Sequence, residues 1–285
     1  MPCYRPIEAW QRDTGEIAFT EKSGGRPLKL KCGRCIGCRL IQQRSWTYRC
    51  LHEAAMHDQN CFVTLTYEGQ VNPSLNYPDF QQFMRSLRKT KGKVRFFAAG
   101  EYGSLNNRPH WHALLFGVGF TNHGQIGDKI YRSRELEQHW PHGFSSIGEL
   151  TKQSAAYVAK YATKKITGDA AKTHYLRVDT RTGEYIQVKP EMARMSLKPG
   201  IGQTWIHKYW KDVYGPRDGI CLPGGHTVNA PRYYDQQLQL INNDKWEDIQ
   251  LKRYKKIIRE KTTYELENQE IVKRAEIKFR EQRKL

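Results

Sequence analysis

Two imidazoles stand two residues apart in "NRPHWHALLFG", residues 107–117, at the head of an apolar run. Side chains alternate faces along a strand, so His110 and His112 share one face and Trp111, Ala113 and Leu115 the other. Two histidines side by side on a sheet face can grip one metal ion. They can equally be ordinary histidines on the polar edge of a strand. A third ligand with a hard oxygen is wanted, and Glu101 is well placed by sequence, near the end of "VRFFAAGEYG" just before a turn. The plain alternative for Glu101 is a solvent-facing residue beside that turn. Two imidazoles and one carboxylate with open positions suit Mg2+ or Mn2+ working on phosphate.

A second group of reactive side chains lies in "YVAKYATKK", residues 157–165. Tyr157 and Tyr161 are four apart, which on a helix puts them ~40° apart around the axis and ~6 Å apart along it. Each is followed three residues later by a lysine, Lys160 and Lys164. An unperturbed phenol has a pKa near ~10 and needs help to act as a nucleophile at neutral pH. A neighbouring ammonium favours the phenolate. The rival reading is an aromatic stripe in the core with a solvated lysine face.

Cys32, Cys35 and Cys38 form C-x-x-C-x-x-C. Three thiolates at this spacing point to structural Zn2+, with Cys3, Cys50 or a histidine as fourth ligand. Thiolates also hold iron–sulfur clusters, and reduced cysteines in a loop remain open as a third reading. Cys61 and Cys221 read as packing residues.

These residues sit in a chain of 285 residues with 47 Lys and Arg against 29 acidic residues, a net charge of +18 and a pI near 9.6. Such a balance points to a polyanionic partner, nucleic acid first and an anionic membrane surface second. No apolar run approaches the ~20 residues needed to span a bilayer. The start "MPCYRPIEAW" does not read as a signal peptide, so a cytosolic protein with reduced cysteines is expected.

The elements that must position the chemistry follow from periodicity. Residues 1–31 read as a hairpin or irregular arm. Residues 39–57 read as a basic, aromatic-bearing helix, with Arg44, Trp46 and Arg49 as DNA contacts. Arg108, beside the histidines, is a further DNA contact. "CFVTLTYE" is a strand, residues 77–89 an amphipathic helix, and residues 94–103 and 110–116 a hairpin. Thr64 and Thr66 read as ordinary β-formers rather than DNA contacts. A short helix over 134–139, a strand in "HGFSSIGEL" and a helix over 153–165 complete the pattern. The result is an α+β fold, a central antiparallel sheet with helices packed on one face. The expected division is a cysteine-containing arm and basic helix (1–60), a core (61–170), a loop-rich continuation of it (171–235) and a charged helical tail (236–285).

Motif type, order and spacing resemble the replication-initiator branch of the HUH endonuclease superfamily, whose name describes His-hydrophobic-His. "FVTLTY" resembles its first motif, "RPHWHALLF" its second and "YVAKYATKK" its two-tyrosine third. The resemblance is strongest to replication initiators of Microviridae, especially the gokushovirus type. "MPCY", the cysteine region and "WPHGF" also fit that group, and the likeness covers roughly residues 1–215. It implies rolling-circle initiation: metal-dependent nicking of the origin, a 5′-phosphotyrosine on Tyr157 or Tyr161, then strand transfer and rejoining by the other. It also implies single-stranded or supercoiled circular phage DNA as partner, host polymerase and helicase as helpers, and the cytoplasm of the bacterial host as location. Two rivals stand beside it: a relaxase or transposase of the same chemistry, and a non-catalytic zinc-stabilised DNA-binding protein.

Overall fold

The computed structural model describes residues 2–21, 24–69, 74–103, 106–121, 124–161, 168–179, 182–255 and 261–282. In chain order, the first elements are β1 (Ile7–Gln11), β2 (Ile17–Ala18), β3 (Arg26–Leu30), α1 (Ile36–Ala54), β4 (Asn60–Thr66), α2 (Tyr77–Lys91), β5 (Arg95–Tyr102) and β6 (Pro109–Phe116). Then come β7 (Gly124–Gly127), β8 (Ile130–Arg132), α3 (Arg134–His139), β9 (Ser145–Glu149), α4 (Lys152–Tyr161), α5 (Ala170–His174), β10 (Leu176–Val178), β11 (Tyr185–Gln187) and β12 (Met192–Met195). The last are α6 (Gln203–Val213), β13 (Ile220–Cys221), β14 (Thr227–Val228), α7 (Arg232–Ile241), α8 (Asn243–Lys255) and α9 (Thr263–Gln282). The chain divides into two compact units, residues 43–249 and residues 1–42 with 250–285.

The larger unit is built on a seven-stranded antiparallel sheet in the order β12-β5-β6-β4-β9-β8-β7. The fold is α+β, as the sequence pattern indicates. One sheet face carries Cys61, Val63, Leu65, Phe96, Ala98, Trp111, Ala113 and Leu115. α2 packs on it with Phe80, Phe83, Met84 and Leu87, spaced i, i+3, i+4, i+7, so one helical stripe supplies the whole contact. Each fully buried side chain of this kind stabilises the fold by about 1.5–3 kcal/mol. The opposite face carries Phe97, Ala99, Leu114 and Phe116, covered by Trp46 and Cys50 of α1 and Ala155 and Val158 of α4. Helices therefore cover both faces, and the expectation of a single covered face is corrected. The cause lies in β5 and β6, which are apolar on both faces and buried along almost their full length.

Residues 171–235 also differ from the expected loop-rich stretch. β12 joins the main sheet by pairing with β5, Ala193 opposite Ala99, and α6 is a regular helix. "MARM" lacks the β-branched residues that announce a strand. α6 is hidden behind the Pro and Gly punctuation of "KPGIG".

α6 and α7 enclose a second core of Tyr48, Ile206, Tyr214, Tyr234, Leu238 and Ile249. Against it lies His52, its ring 3.5 Å from that of Trp205 and its Nδ1 2.9 Å from the Tyr234 hydroxyl. In the smaller unit, residues 7–30 form a three-stranded antiparallel sheet in the order β2-β1-β3. No described helix is long and apolar enough to cross a membrane.

Burial holds the His52 imidazole neutral down to about 4, against an ordinary 6.5. Between these values the unfolded chain binds the extra proton, so this contribution is complete above pH ~6.5 and is lost as pH falls toward 4. The expected loss is on the order of 2–3 kcal/mol. Urea unfolding of wild type and His52→Phe at pH 7 and pH 4.5 reads it directly. The wild type should lose more stability than the variant, and equal losses would remove His52 as the cause.

Candidate metal and tyrosine site

The site grows from the register of three strands. β5 and β6 pair with Glu101 directly opposite His110, and Ala99 opposite His112. β4 pairs with β6 so that Thr64 stands opposite His112. Glu101, His110, His112 and Thr64 thus project from one sheet face, the face that α4 covers further along. α4 starts from a reciprocal cap. Thr151 N donates to Ser154 Oγ at 2.8 Å, and Ser154 N donates to Thr151 Oγ1 at 3.2 Å. Gln43 of α1 ties the helix down, its Nε2 donating to Ala156 O at 2.9 Å. With Ala155, Val158 and Ala159 buried, Tyr157 and Tyr161 fall beside the histidines.

Glu101 Oε1 lies 2.9 Å from His110 Nε2 and 2.8 Å from His112 Nε2. One ligand atom from each of the three residues lies within 4.8 Å of the other two. The outer nitrogens are held as well. His110 Nδ1 donates to the Arg108 carbonyl at 3.1 Å, and His112 Nδ1 is 2.9 Å from Thr64 Oγ1. Because a carbonyl only accepts, His110 carries its proton on Nδ1, and a neutral ring then turns the Nε2 lone pair toward a carboxylate oxygen. Two acceptors face to face call for a shared cation, either a second proton on the ring or a metal ion. The donor set of two imidazoles and a carboxylate fits a divalent ion, and the outer hydrogen bonds aim the Nε2 atoms at it.

Glu101 is only 3% exposed and His112 6%. Burial by itself raises the Glu101 carboxyl, but its contacts with His110 and His112 outweigh it and hold the group below the usual carboxylate range. Burial pushes the His112 imidazole down.

The Tyr157 hydroxyl is 3.3 Å from His112 Nε2. Its ring centroid lies 4.9 Å from that of His112 and 4.8 Å from that of Tyr161, which itself stacks on His112 at 5.9 Å. Burial, then the hydrogen bond with Tyr161 and the charge of Glu101, push the Tyr157 phenol well up. Burial and Glu101 also raise Tyr161, while its hydrogen bond to Tyr157 works the other way. Lys160 is exposed on α4. Lys164 lies outside the described residues.

The remaining residues singled out in the sequence are dispersed. Arg49 is committed inside the fold. Its guanidinium is held 4.0 Å over the Trp46 ring and 3.9 Å over the Tyr233 ring, and Nε donates to Ile201 O at 3.0 Å. Trp46 packs on Phe97 at 4.9 Å. Both half-buried side chains thus make packing contacts within the larger unit, where α1 is flanked by the sheet on one side and by α6 and α7 on the other. Arg44 is half-buried. Arg108, also half-buried, donates from Nη1 to Tyr67 O at 2.8 Å. Cys3, Cys32, Cys35 and Cys38 converge in the smaller unit, whereas Cys50 is fully buried in the larger one.

Two side chains at the site escape a reading of the sequence. Thr64 is more than a β-former, since it bonds His112. Phe62, on the same face, stacks on His112 at 5.7 Å and meets the edge of Tyr157 at 6.2 Å. The signal for both is cross-strand register, which a single strand's pattern does not carry.

An antiparallel sheet that brings Glu101, His110 and His112 together beside Tyr157 and Tyr161 is the arrangement to set beside known proteins. Residues 60–166 match the model of the family described as replication-associated protein ORF2/G2P. The chain is 31% identical to the replication-associated protein VP4 of Bdellovibrio phage phiMH2K, over 88% of this chain and 82% of that one. It is 29% identical to the replication-associated protein ORF2 of Spiroplasma virus 4, over 92% and 86%. It is 30% identical to the replication-associated protein ORF4 of Chlamydia phage 1, over 48% and 38%. The chain belongs to this family of replication-associated proteins of Microviridae-type phages. No solved structure matches it.

Thr64→Val keeps shape and removes the hydroxyl that orients His112. Loss of such an outer hydrogen bond typically lowers metal affinity 10–100-fold. Titration calorimetry with Mn2+ should show a fall of that size with an unfolding midpoint close to wild type. Unchanged affinity would deny Thr64 this part.

Proposed function

We propose that the chain initiates rolling-circle replication of a small circular single-stranded DNA genome by nicking one strand at the origin. The observation that carries this reading is the contact of the Tyr157 hydroxyl with the same imidazole nitrogen that meets Glu101. The net charge of +18 supports a polyanionic substrate.

Glu101, His110 and His112 would hold Mg2+ or Mn2+. When bound, the ion supplies Lewis-acid polarisation of a non-bridging phosphate oxygen and a positive charge that opposes the Glu101 field on the phenols. Thr64 and the Arg108 carbonyl keep the imidazoles oriented. Tyr157 Oη attacks phosphorus in line, the bond from phosphorus to O3′ breaks, and the 5′ phosphate stays on tyrosine as an ester. Overall the phenol proton ends on the released 3′ hydroxyl, which primes the host polymerase. Tyr161, one helical turn on, cleaves the regenerated origin. The new 3′ hydroxyl then attacks the first phosphotyrosine, restoring the phenol and closing the circle. Lys160 and Lys164 favour the anionic forms of the phenols. Arg44 and Arg108 contribute to strand binding. A host helicase opens the duplex ahead, in the cytoplasm of the bacterial host.

The test is a denaturing gel after incubation with circular single-stranded DNA containing the origin and Mn2+ or Mg2+. A slow-migrating covalent adduct is expected with wild type and with Tyr161→Phe, strongly reduced with Tyr157→Phe, and absent with the double variant. His112→Ala should reduce it by about 100-fold or more. An adduct that survives in the double tyrosine variant, or no adduct on an origin shown independently to be active, would sink the proposal. The second result would leave a DNA-binding protein without this chemistry.

A further inference from the structure

The unit formed by residues 1–42 and 250–285 has very little core. Among its described residues, the buried apolar side chains are Tyr4, Ala9, Cys35, Cys38 and Leu266. A unit of this size with so few buried apolar groups needs another source of stability, such as disulfides or a structural metal. No disulfide is present, and the seven cysteines are free thiols.

Instead, four sulfurs converge. Cys3 Sγ is 3.6 Å from Cys32 Sγ and 3.9 Å from Cys35 Sγ, and Cys32 Sγ is 4.0 Å from Cys38 Sγ. A tetrahedral zinc tetrathiolate with Zn–S bonds of ~2.3 Å has S···S edges of about 3.8 Å. The observed separations match a single ion. An iron–sulfur cluster would need its inorganic core to fit between the thiolates, and this spacing leaves no room for it. Four backbone N–H groups also point at sulfur: Cys32 N at Cys3 Sγ and Cys35 N at Cys32 Sγ, each 3.3 Å, and Tyr4 N (3.3 Å) and Cys38 N (3.4 Å) at Cys35 Sγ. Such donors stabilise thiolates rather than thiols.

The backbone is shaped for the same end. Gly33 takes φ +73° between Cys32 and Cys35, a turn that glycine makes without strain. Gly37, between Cys35 and Cys38, lets the amino-terminal segment lie against the start of α1. A Cβ there would come within 2.3 Å of the Pro2 carbonyl oxygen, the residue next to Cys3.

We propose that Cys3, Cys32, Cys35 and Cys38 bind one zinc ion in a closed tetrathiolate site, and that this ion takes the place of a hydrophobic core in the smaller unit. Binding deprotonates the thiols and releases their protons to solvent. Four protein ligands leave no open position, so the ion is structural. The site is separate from the Glu-His-His set and does not rest on the nicking chemistry.

The full chain, produced with zinc in the medium and kept reduced, should contain one zinc per protein by elemental analysis. Cobalt exchange should give the visible absorption of tetrahedral thiolate-bound Co2+. Cys35→Ser and Cys38→Ser should lose the metal, while Cys50→Ser, Cys221→Ser and the His110→Ala/His112→Ala double variant should keep it. Gly37→Ala, which displaces Cys3 without removing a ligand, should weaken zinc by 10-fold or more. Chelation of wild type should expose residues 1–42 and 250–285 to protease ahead of residues 43–249, with cut sites read by mass spectrometry. A metal-free protein, an iron chromophore, zinc retained by Cys35→Ser, or a chelated protein with unchanged cut sites would each overturn the proposal.

Discussion

The candidate site depends on one constraint, the register between β5 and β6. Side chains alternate with a period of two, so a slip of one residue would send Glu101 to the face opposite His110 and His112. The register is held by what surrounds it. Both strands are buried on both faces, with Phe97, Ala99, Leu114 and Phe116 on one and Phe96, Ala98, Trp111 and Leu115 on the other. Any slip would move apolar groups out of both cores at once. The packing that stabilises the sheet is therefore also what brings a carboxylate and two imidazoles to a point.

That convergence has a cost that the site itself must offset. An ionised carboxylate taken out of water is destabilising unless it is paired. Glu101 is paired twice, by His110 and His112, whose outer nitrogens are fixed by a carbonyl and a hydroxyl. The same logic governs the buried Arg95–Glu53 ion pair elsewhere in the larger unit, where Glu53 also accepts from Gly202 N and Arg95 donates to the Pro199 carbonyl. The difference is chemical. Arg95 is a permanent cation that completes its pair. Two imidazoles are not, and their lone pairs can be shared with an ion.

How much of this is legible in the sequence depends on whether the relevant physics is local. The shared face of His110 and His112 follows from strand alternation, and the pairing of Tyr157 with Tyr161 from helical spacing. The tight cysteine run is visible as well, but Cys3, Cys50 and a histidine are equal partners for it on spacing alone. Only the fold separates a Cys3 laid against the start of α1 from a Cys50 buried in the other unit. Thr64 is invisible because its role lies across a strand pair. The packing of Arg49 is hidden for a related reason, since its cation lies over the rings of Trp46 and of Tyr233, a residue far along the chain. β12 is missed because an edge strand without β-branched residues borrows its conformation from its neighbour.

The site divides its labour between two kinds of support. Glu101, His110 and His112 stand on central strands, where packing on both faces restricts motion. The two phenols stand on a helix whose start is set by the Thr151–Ser154 cap and whose inner face is held by Ala155 and Val158. Their ring centroids are 4.8 Å apart, and both rings contact His112. Exchange of one phenol for the other at a phosphate anchored on the sheet would then require side-chain torsions rather than movement of α4. Rotamer changes are fast compared with shifts of a packed helix. Through the four-residue spacing of Tyr157 and Tyr161, α4 leaves both phenols beside one sheet-borne cluster, which is the arrangement that the proposed pair of successive cleavages at one centre demands.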